Sequence, residues 1–259
     1  MTAGGKQHLE LSGAILVVSP HFDDGVLSVG GLMQRHPETF AIVTVFGRSA
    51  STNGGFAPDE QRAISARRRA EDVAACRHLG VTAVRSLPFA DARLRGRSPF
   101  SPDESPEPEV AAELERALSS IIDAASPRLV LFPLALGEHL DHMLVAGVGA
   151  RLAVRGGTSV AFYEDLPYAA FYALDDIDFR AESVAGALGR RLEPLHVPCD
   201  DAVLRTKREA LACYPSQLRD VDLARVAAHA ERRRGEVIHV VRARDDGSPR
   251  LADWLAGAG

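Results

Sequence analysis

Apolar residues along the chain gather in short, almost continuous runs separated by longer amphipathic stretches. Ala14–Val18 (AILVV), Phe40–Phe46 (FAIVTVF), Leu129–Phe132 (LVLF) and Ser159–Tyr163 (SVAFY) show little polar alternation. Such runs are what strands buried on both faces require. Ala83–Phe89 predicts a shorter strand, and Val237–Val241 (VIHVV) a late one. Between them, Gly25–Arg35, Asp59–Leu79, Glu107–Ala125, His142–Arg155 and Asp201–Leu218 predict helices. Gly80 and Gly156-Gly157 stand where C-terminal stops are expected. Strand and helix alternate with short connections, which predicts an α/β fold: a mostly parallel sheet with helices on both faces.

Two stretches interrupt the alternation. Gly47–Pro58 is rich in Gly and Ser, and Asp91–Pro108 holds Pro99, Pro102, Pro106 and Pro108. The second is expected to be a surface excursion or a lid. No repeat and no shift of composition divides the chain, so residues 1–259 are expected to form a single domain. Its core should span about residues 14–220, with C-terminal additions beyond. The tail from Arg244 is expected to be peripheral, and Trp254 to dock in the core or near the terminus.

Composition narrows the partners. Hydrophobic residues make up 46% and charged residues 25%, enough for one sizeable core and unlike a fibre or a disordered chain. No apolar run is long enough to cross a membrane. A formal charge of −5 offers no basic footprint, so no nucleic-acid partner is expected. The segment MTAGGKQHLELSGA lacks a basic stretch followed by an apolar one, so no secretory signal is expected. Cys76, Cys199 and Cys213 lie far apart without a CxxC pair, which argues against a disulfide framework or thiolate zinc. They are expected to be buried small hydrophobes in a reducing cytoplasm.

Chemistry concentrates at two predicted strand ends. Ser19-Pro20-His21-Phe22-Asp23-Asp24-Gly25 leaves the first strand and opens the first helix. In open α/β sheets, ligands bind outside the carboxyl ends of strands. Gly137-Glu138-His139-Leu140-Asp141-His142 follows Leu129–Pro133 in the same way. Gly30-Gly31 would let the first helix approach another backbone closely. Two imidazoles and a carboxylate suit Zn²⁺ with a position left for water. They equally match the two-histidine, one-carboxylate triad of non-haem iron oxygenases, although those enzymes are usually built on antiparallel double-sheet barrels. The chain has no GxSxG elbow, GxxxxGK[ST] loop or HExxH.

Taken together, the motifs resemble the LmbE-like (PIG-L) family of metal-dependent N-deacetylases, the GlcNAc-PI de-N-acetylase type. The residues that carry the resemblance are His21-Phe22-Asp23-Asp24, Gly30-Gly31 and His139-Leu140-Asp141-His142. Arg68-Arg69-Ala70-Glu71 with Leu79-Gly80, Tyr163-Glu164-Asp165-Leu166-Pro167-Tyr168, and Lys207 with Tyr214-Pro215-Ser216-Gln217 are also similar, the last to the family's C-terminal helix. The commonest family form is H-P-D-D-E; here Phe22 replaces the proline and Gly25 the glutamate, which looks more like the branch in bacterial biosynthetic pathways.

The resemblance implies a Rossmann-like three-layer sandwich and a cytoplasmic enzyme that removes an acetyl or small acyl group from an amine. It implies His21, Asp24 and His142 as ligands of Zn²⁺ or another divalent metal such as Fe²⁺. Asp23 would be the general base, and a protonated His139 would stand by the oxyanion or the leaving amine. Asp141 is expected to orient the His139 or His142 ring. Arg68 would reach a small N-acylated substrate of sugar-like or natural-product type. Tyr163, Asp165 and Tyr168 follow a strand end and are expected to line the pocket. In Arg67-Arg68-Arg69 at least two residues should face solvent, and Arg232-Arg233-Arg234 should be a solvated helix end. A catalytically silent metal-binding homologue is the other rival. Asp23 weighs against it, since binding alone requires no extra carboxylate beside the ligands.

Overall fold

The computed structural model describes residues 14–100 and 107–242. In chain order the elements are β1 (Ile15–Ser19), α1 (Asp24–Arg35), β2 (Phe40–Thr44), the small antiparallel pair β3 (Ser51–Thr52) and β4 (Gly55–Phe56), α2 (Gln61–His78), β5 (Ala83–Ser86), α3 (Pro108–Ala125), β6 (Leu129–Pro133), α4 (Leu140–Arg155), β7 (Ser159–Tyr163), α5 (Leu174–Leu188), β8 (Leu192–Pro198), α6 (Asp201–Leu211), α7 (Asp220–Arg233) and β9 (Gly235–Val241).

The main sheet runs β5-β2-β1-β6-β7-β9-β8. The first five strands are parallel, and β9 pairs antiparallel with both β7 and β8. Every residue of β1, β2 and β6 is buried, which is why these strands read as unbroken apolar runs. Helices flank the sheet in two packed groups: α1 and α2 with α6, and α4 with α3 and α5. The chain moves from β1 to β2 and β5 on one side, then returns to β6 on the other. That reversal opens a crevice at the carboxyl ends of β1 and β6, where open α/β sheets bind their ligands. Ile15 pairs with both Phe40 and Leu129, so these three strands share a register.

Helix α1 lies hard on the sheet. A Cβ on Gly25 would stand 2.6 Å from Ile42 Cδ1 and 3.3 Å from Val17 Cγ1. A larger side chain here would press on Ile42 and Val17 in the hydrophobic core. Gly25→Ala is expected to destabilise the chain by about 1–3 kcal/mol through overpacking, despite alanine's better helix propensity. Urea denaturation reads this directly, and an unchanged midpoint would contradict it. Further along, α1 bends at Val29 (φ −129°, ψ 21°). There Glu236 of β9 accepts the Gly31 and Leu32 N–H groups, each at 2.8 Å, while pairing with Lys207 Nζ at 2.6 Å. The Gly30-Gly31 pair therefore admits a side-chain carboxylate, not the backbone expected.

Several boundaries differ from the sequence pattern. Strands β2 and β5 end at Thr44 and Ser86; beyond them only isolated bridges, Phe46 to Pro88 and Arg48 to Ala90, continue the contact. Helix α6 stops at Leu211 instead of Leu218. Pro215 has no N–H with which to extend it. The Tyr214–Gln217 segment is also held elsewhere: Tyr214 Oη donates to Asp72 Oδ1 at 2.8 Å, and the Ser216 N–H and hydroxyl donate to Glu71. The motif likened to a C-terminal helix is thus a turn clamped onto α2. The pattern left α5, β8 and α7 unassigned; β8 is a half-exposed edge strand carrying two prolines, with no apolar run to betray it.

Cys76 is buried, but Cys199 and Cys213 are only partly so, and all three thiols are free. Arg233, expected in solvent, is buried on Glu164 at 2.7 Å. Among the described residues no helix is long and apolar enough to cross a membrane. Pro102, Pro106, the tail from Arg244 and Trp254 lie outside the described residues.

Candidate active site

The two motifs meet in the crevice. After β1, Ser19 Oγ donates to the His21 carbonyl at 2.6 Å and accepts the Gly25 N–H at 3.0 Å, tying the turn closed. Asp23 caps α1 with φ 103°, a conformation rare outside glycine that costs of order 1–3 kcal/mol. Strain of this kind clusters at functional sites. Asp24 then enters the first helical turn, where its Oδ2 accepts the His21 backbone N–H at 2.8 Å. After β6, Ala135 and Glu138 take positive φ (58° and 51°) and turn the chain into α4. His139 caps this helix, its Nδ1 accepting the Asp141 N–H at 3.1 Å. His142 follows in the first turn of α4.

Asp24 Oδ2 is the meeting point. It lies 3.2 Å from His21 Nδ1 and 3.2 Å from His142 Nε2. The far nitrogen of each ring is held by a carboxylate: His21 Nε2 by Asp141 Oδ2 at 2.8 Å, and His142 Nδ1 by Asp165 Oδ2 at 2.9 Å. An outer N–H donated to a carboxylate leaves the inner nitrogen with its lone pair free. His142 Nε2 is fully buried and has no hydrogen-bond partner. The two inward nitrogens and the carboxylate oxygen lie within 4.8 Å of one another and, once the rings give up their inner protons, form a candidate donor set for a divalent cation.

The electrostatics point the same way. Burial disfavours the imidazolium form, yet hydrogen bonds donated to Asp141 and Asp24 raise His21 to about 9. Asp24 and Asp165 likewise outweigh burial and raise His142 to about 10. Burial also opposes the Asp24 carboxylate, but His142 and His21 hold it far below the usual range. Carboxylates thus concentrate negative potential where the rings converge, and a cation is favoured there.

Two groups stand beside this set without joining it. Asp23 is pushed up to about 7, chiefly by burial and by the Asp24 charge, with Arg68 pulling the other way from 4.0 Å. His139 is driven down to about 2 by burial and by the imidazoles of His21 and His142. It is therefore neutral, and because Nδ1 accepts, the ring proton sits on Nε2. The protonated His139 expected from the resemblance gives way to a neutral donor. Asp23 and His139, with His21 and Asp24, face a cavity of about 300 Å³; His142 is buried behind them.

Of the expected substrate contacts, Arg68 and Tyr168 line that cavity. Arg68 is buried and donates to Ser49 Oγ at 2.8 Å, while Arg67 and Arg69 face solvent as expected. Tyr168 is set by Gly137, where a Cβ would fall 2.4 Å from the tyrosine ring. Tyr163 is not a contact: it is fully buried and its hydroxyl donates to the Val18 carbonyl at 2.9 Å. Asp165 is not one either, since it braces His142 and accepts the Leu136 N–H at 3.0 Å. Asp141 meets the His139 ring as expected, but through its backbone N–H; its carboxylate stands behind His21, because the N-cap turn aims it across the crevice toward β1.

The sequence pattern gave no sign of Phe100, whose exposed ring meets the His139 ring edge-on at 5.0 Å. Arg95, which reaches Asp141, was equally hidden. A lone aromatic or arginine in a proline-rich loop carries no periodic signal.

A candidate histidine–carboxylate cation site with Asp23 and His139 beside it at one switch-point cavity fits the class of metal-dependent hydrolases. The family described as PIG-L, GlcNAc-PI de-N-acetylase, matches residues 16–153. The 2'-N-acetylparomamine deacetylase of Streptomyces fradiae is 35% identical over 225 residues, covering 85% of this chain and 79% of that protein. A crystal structure of a deacetylase–teicoplanin complex from teicoplanin biosynthesis superposes with a TM-score of 0.70 at 27% identity, covering 90% of this chain and 99% of that one. The zinc-inhibited form of a teicoplanin deacetylase superposes with a TM-score of 0.69, also at 27% identity over 90% of this chain and 99% of that one. The chain belongs to the PIG-L family, and it is an N-deacetylase. The oxygenase reading falls with that membership and with the mostly parallel sheet.

Proposed function

We propose that the chain removes the acetyl group from an N-acetylated aminosugar within a natural product. In this reading His21, Asp24 and His142 hold one divalent cation, zinc or another such as iron(II), and Asp23 is the general base. The convergence of two inward imidazole nitrogens on Asp24, with the His142 nitrogen buried and unpartnered, carries the proposal.

When bound, the cation supplies a Lewis acid that acidifies water and polarises the amide carbonyl. Asp23 takes the proton of the attacking water. A carboxyl poised at about 7 is a far stronger base than an ordinary one and is still substantially ionised at neutral pH. The neutral His139 donates a hydrogen bond from its Nε2–H to the amide oxygen as negative charge grows there, and keeps its proton throughout. The protonated Asp23 then delivers its proton to the leaving nitrogen as the carbon–nitrogen bond breaks. Arg68 keeps the base from being locked in its protonated form.

The substrate class follows from the lining. Asp91, Arg93, Gln217 and Arg219 surround the cavity with donors and acceptors suited to sugar hydroxyls and amines. Tyr168 and Phe100 add ring surface beside His139. A volume of about 300 Å³ is at the small end for ligand sites, which suits one acylated ring with the rest of the molecule outside. The relative that deacetylates 2'-N-acetylparomamine points to the same chemistry.

The test is acetate release from metal-depleted enzyme reloaded with Zn²⁺, Fe²⁺ or Co²⁺. The substrates are 2'-N-acetylparomamine, free N-acetylglucosamine and an N-acylated glycopeptide. Turnover should be fastest on the aminoglycoside. Metal binding without acetate release from any of the three would favour a silent binding protein and sink the proposal.

A further inference from the structure

We infer that Arg95 is a positioning residue of the metal centre, acting through Asp141 on His21. The inference rests on the ligand set proposed above. Its starting observation is that Asp141, with 0% exposure, is held at both oxygens by the loop that follows β5. Oδ2 accepts the Ala92 N–H at 2.9 Å and meets His21 Nε2 at 2.8 Å. Oδ1 forms an ion pair with Arg95 Nη1 at 2.8 Å, outside hydrogen-bond geometry, and has no other polar partner.

Arg95 is itself held from several sides. Its Nε and Nη2 form a fork on Glu107, at 3.0 Å and 2.7 Å, and its Nη1 also donates to the Ala90 carbonyl at 2.7 Å. The guanidinium lies 5.0 Å from the Phe46 ring centroid, and that ring lies 5.9 Å from the His21 ring. A planar guanidinium gripped by a bidentate carboxylate has little freedom to turn. The rigid sequence therefore runs from Glu107 at the start of α3, through Arg95 and Asp141, to a proposed ligand on β1's exit turn.

The geometry explains what this sequence accomplishes. A carboxylate bound only through Oδ2 can rotate about its Cβ–Cγ bond and swing its acceptor off the imidazole plane. The Arg95 charge beside Oδ1 opposes that rotation. His21 must then direct Nε2–H at Asp141 and Nδ1 toward Asp24. Arg95 also supplies a permanent positive charge to a carboxylate with no access to water, and buried charges persist only when paired. Residues 91–95 of that loop are thus part of the proposed metal centre's scaffold as well as one wall of its cavity.

The experiment titrates metal-depleted, full-length protein with Co²⁺ and follows affinity and the visible absorption band. Wild type should bind one Co²⁺. Arg95→Met should weaken binding about 10- to 100-fold, the usual scale for an outer partner of a metal ligand, and should shift the band. Arg95→Lys, which restores a charge beside Asp141 but not the fork, should recover part of the affinity. Arg95→Met with wild-type melting temperature, Co²⁺ affinity and spectrum overturns the inference. If Arg95→Met does not fold, Glu107→Gln reads the same sequence from its far end. It should weaken Co²⁺ binding several-fold, and an unchanged affinity and band overturn the inference equally. A wild-type chain without single-site Co²⁺ binding overturns the ligand set itself, which distinguishes that failure from this one.

Discussion

His142→Ala should cost the chain its divalent cation, with affinity falling by roughly a hundredfold or more and acetate release falling to background. Outer partners of metal ligands are already worth 10- to 100-fold, and His142 supplies an inner nitrogen. Its Nε2 is buried, without a hydrogen-bond partner, and 3.2 Å from Asp24 Oδ2. Alanine leaves Asp24 and Asp165 facing a space with no donor. Two buried carboxylates without a shared partner are destabilising, so the melting temperature should fall as well. Elemental analysis after desalting, compared with wild type, measures the outcome. A folded His142→Ala chain that keeps a full equivalent of metal removes this residue from the ligand set.

Asp23→Asn should show the opposite division: metal retained, rate lost. Asparagine keeps the shape and, like aspartate, tolerates a positive φ better than most residues, but it cannot accept the water's proton. The loss expected for a missing general base is about 10² to 10⁴ in kcat. The metal content should stay at the wild-type level, because Asp23 points into the cavity and lies outside the converging set. Normal turnover by Asp23→Asn would end the proposed acid–base assignment while leaving the cation site standing. The two substitutions together separate binding from chemistry.

The fold was legible where burial is two-sided. β1, β2, β6 and β7 are all but fully enclosed, and enclosure on both faces selects continuous apolar runs that the eye finds directly. The edge of the sheet beyond β7 was not legible. β8 faces solvent over much of its length, and α7 buries only Val226, His229 and Ala230. Arg233 shows the same limit: within a run of three arginines nothing distinguishes the one buried on Glu164. That carboxylate also gathers His229 and His239 at 3.0 Å and 3.1 Å, a cluster joining α7 and β9 to the end of β7.

The sequence by itself determined the alternation of strands and helices and the two histidine–aspartate turns at strand ends. Both are local: a run of buried residues or a motif within seven positions constrains its own backbone. Tertiary structure alone decided how the turns serve one another. Asp141 braces a histidine 120 positions away, Asp165 turned from expected substrate contact to brace of His142, and Tyr163 became packing. Which nitrogen of a ring faces inward depends on what lies behind it, and in this fold that neighbour comes from another part of the chain.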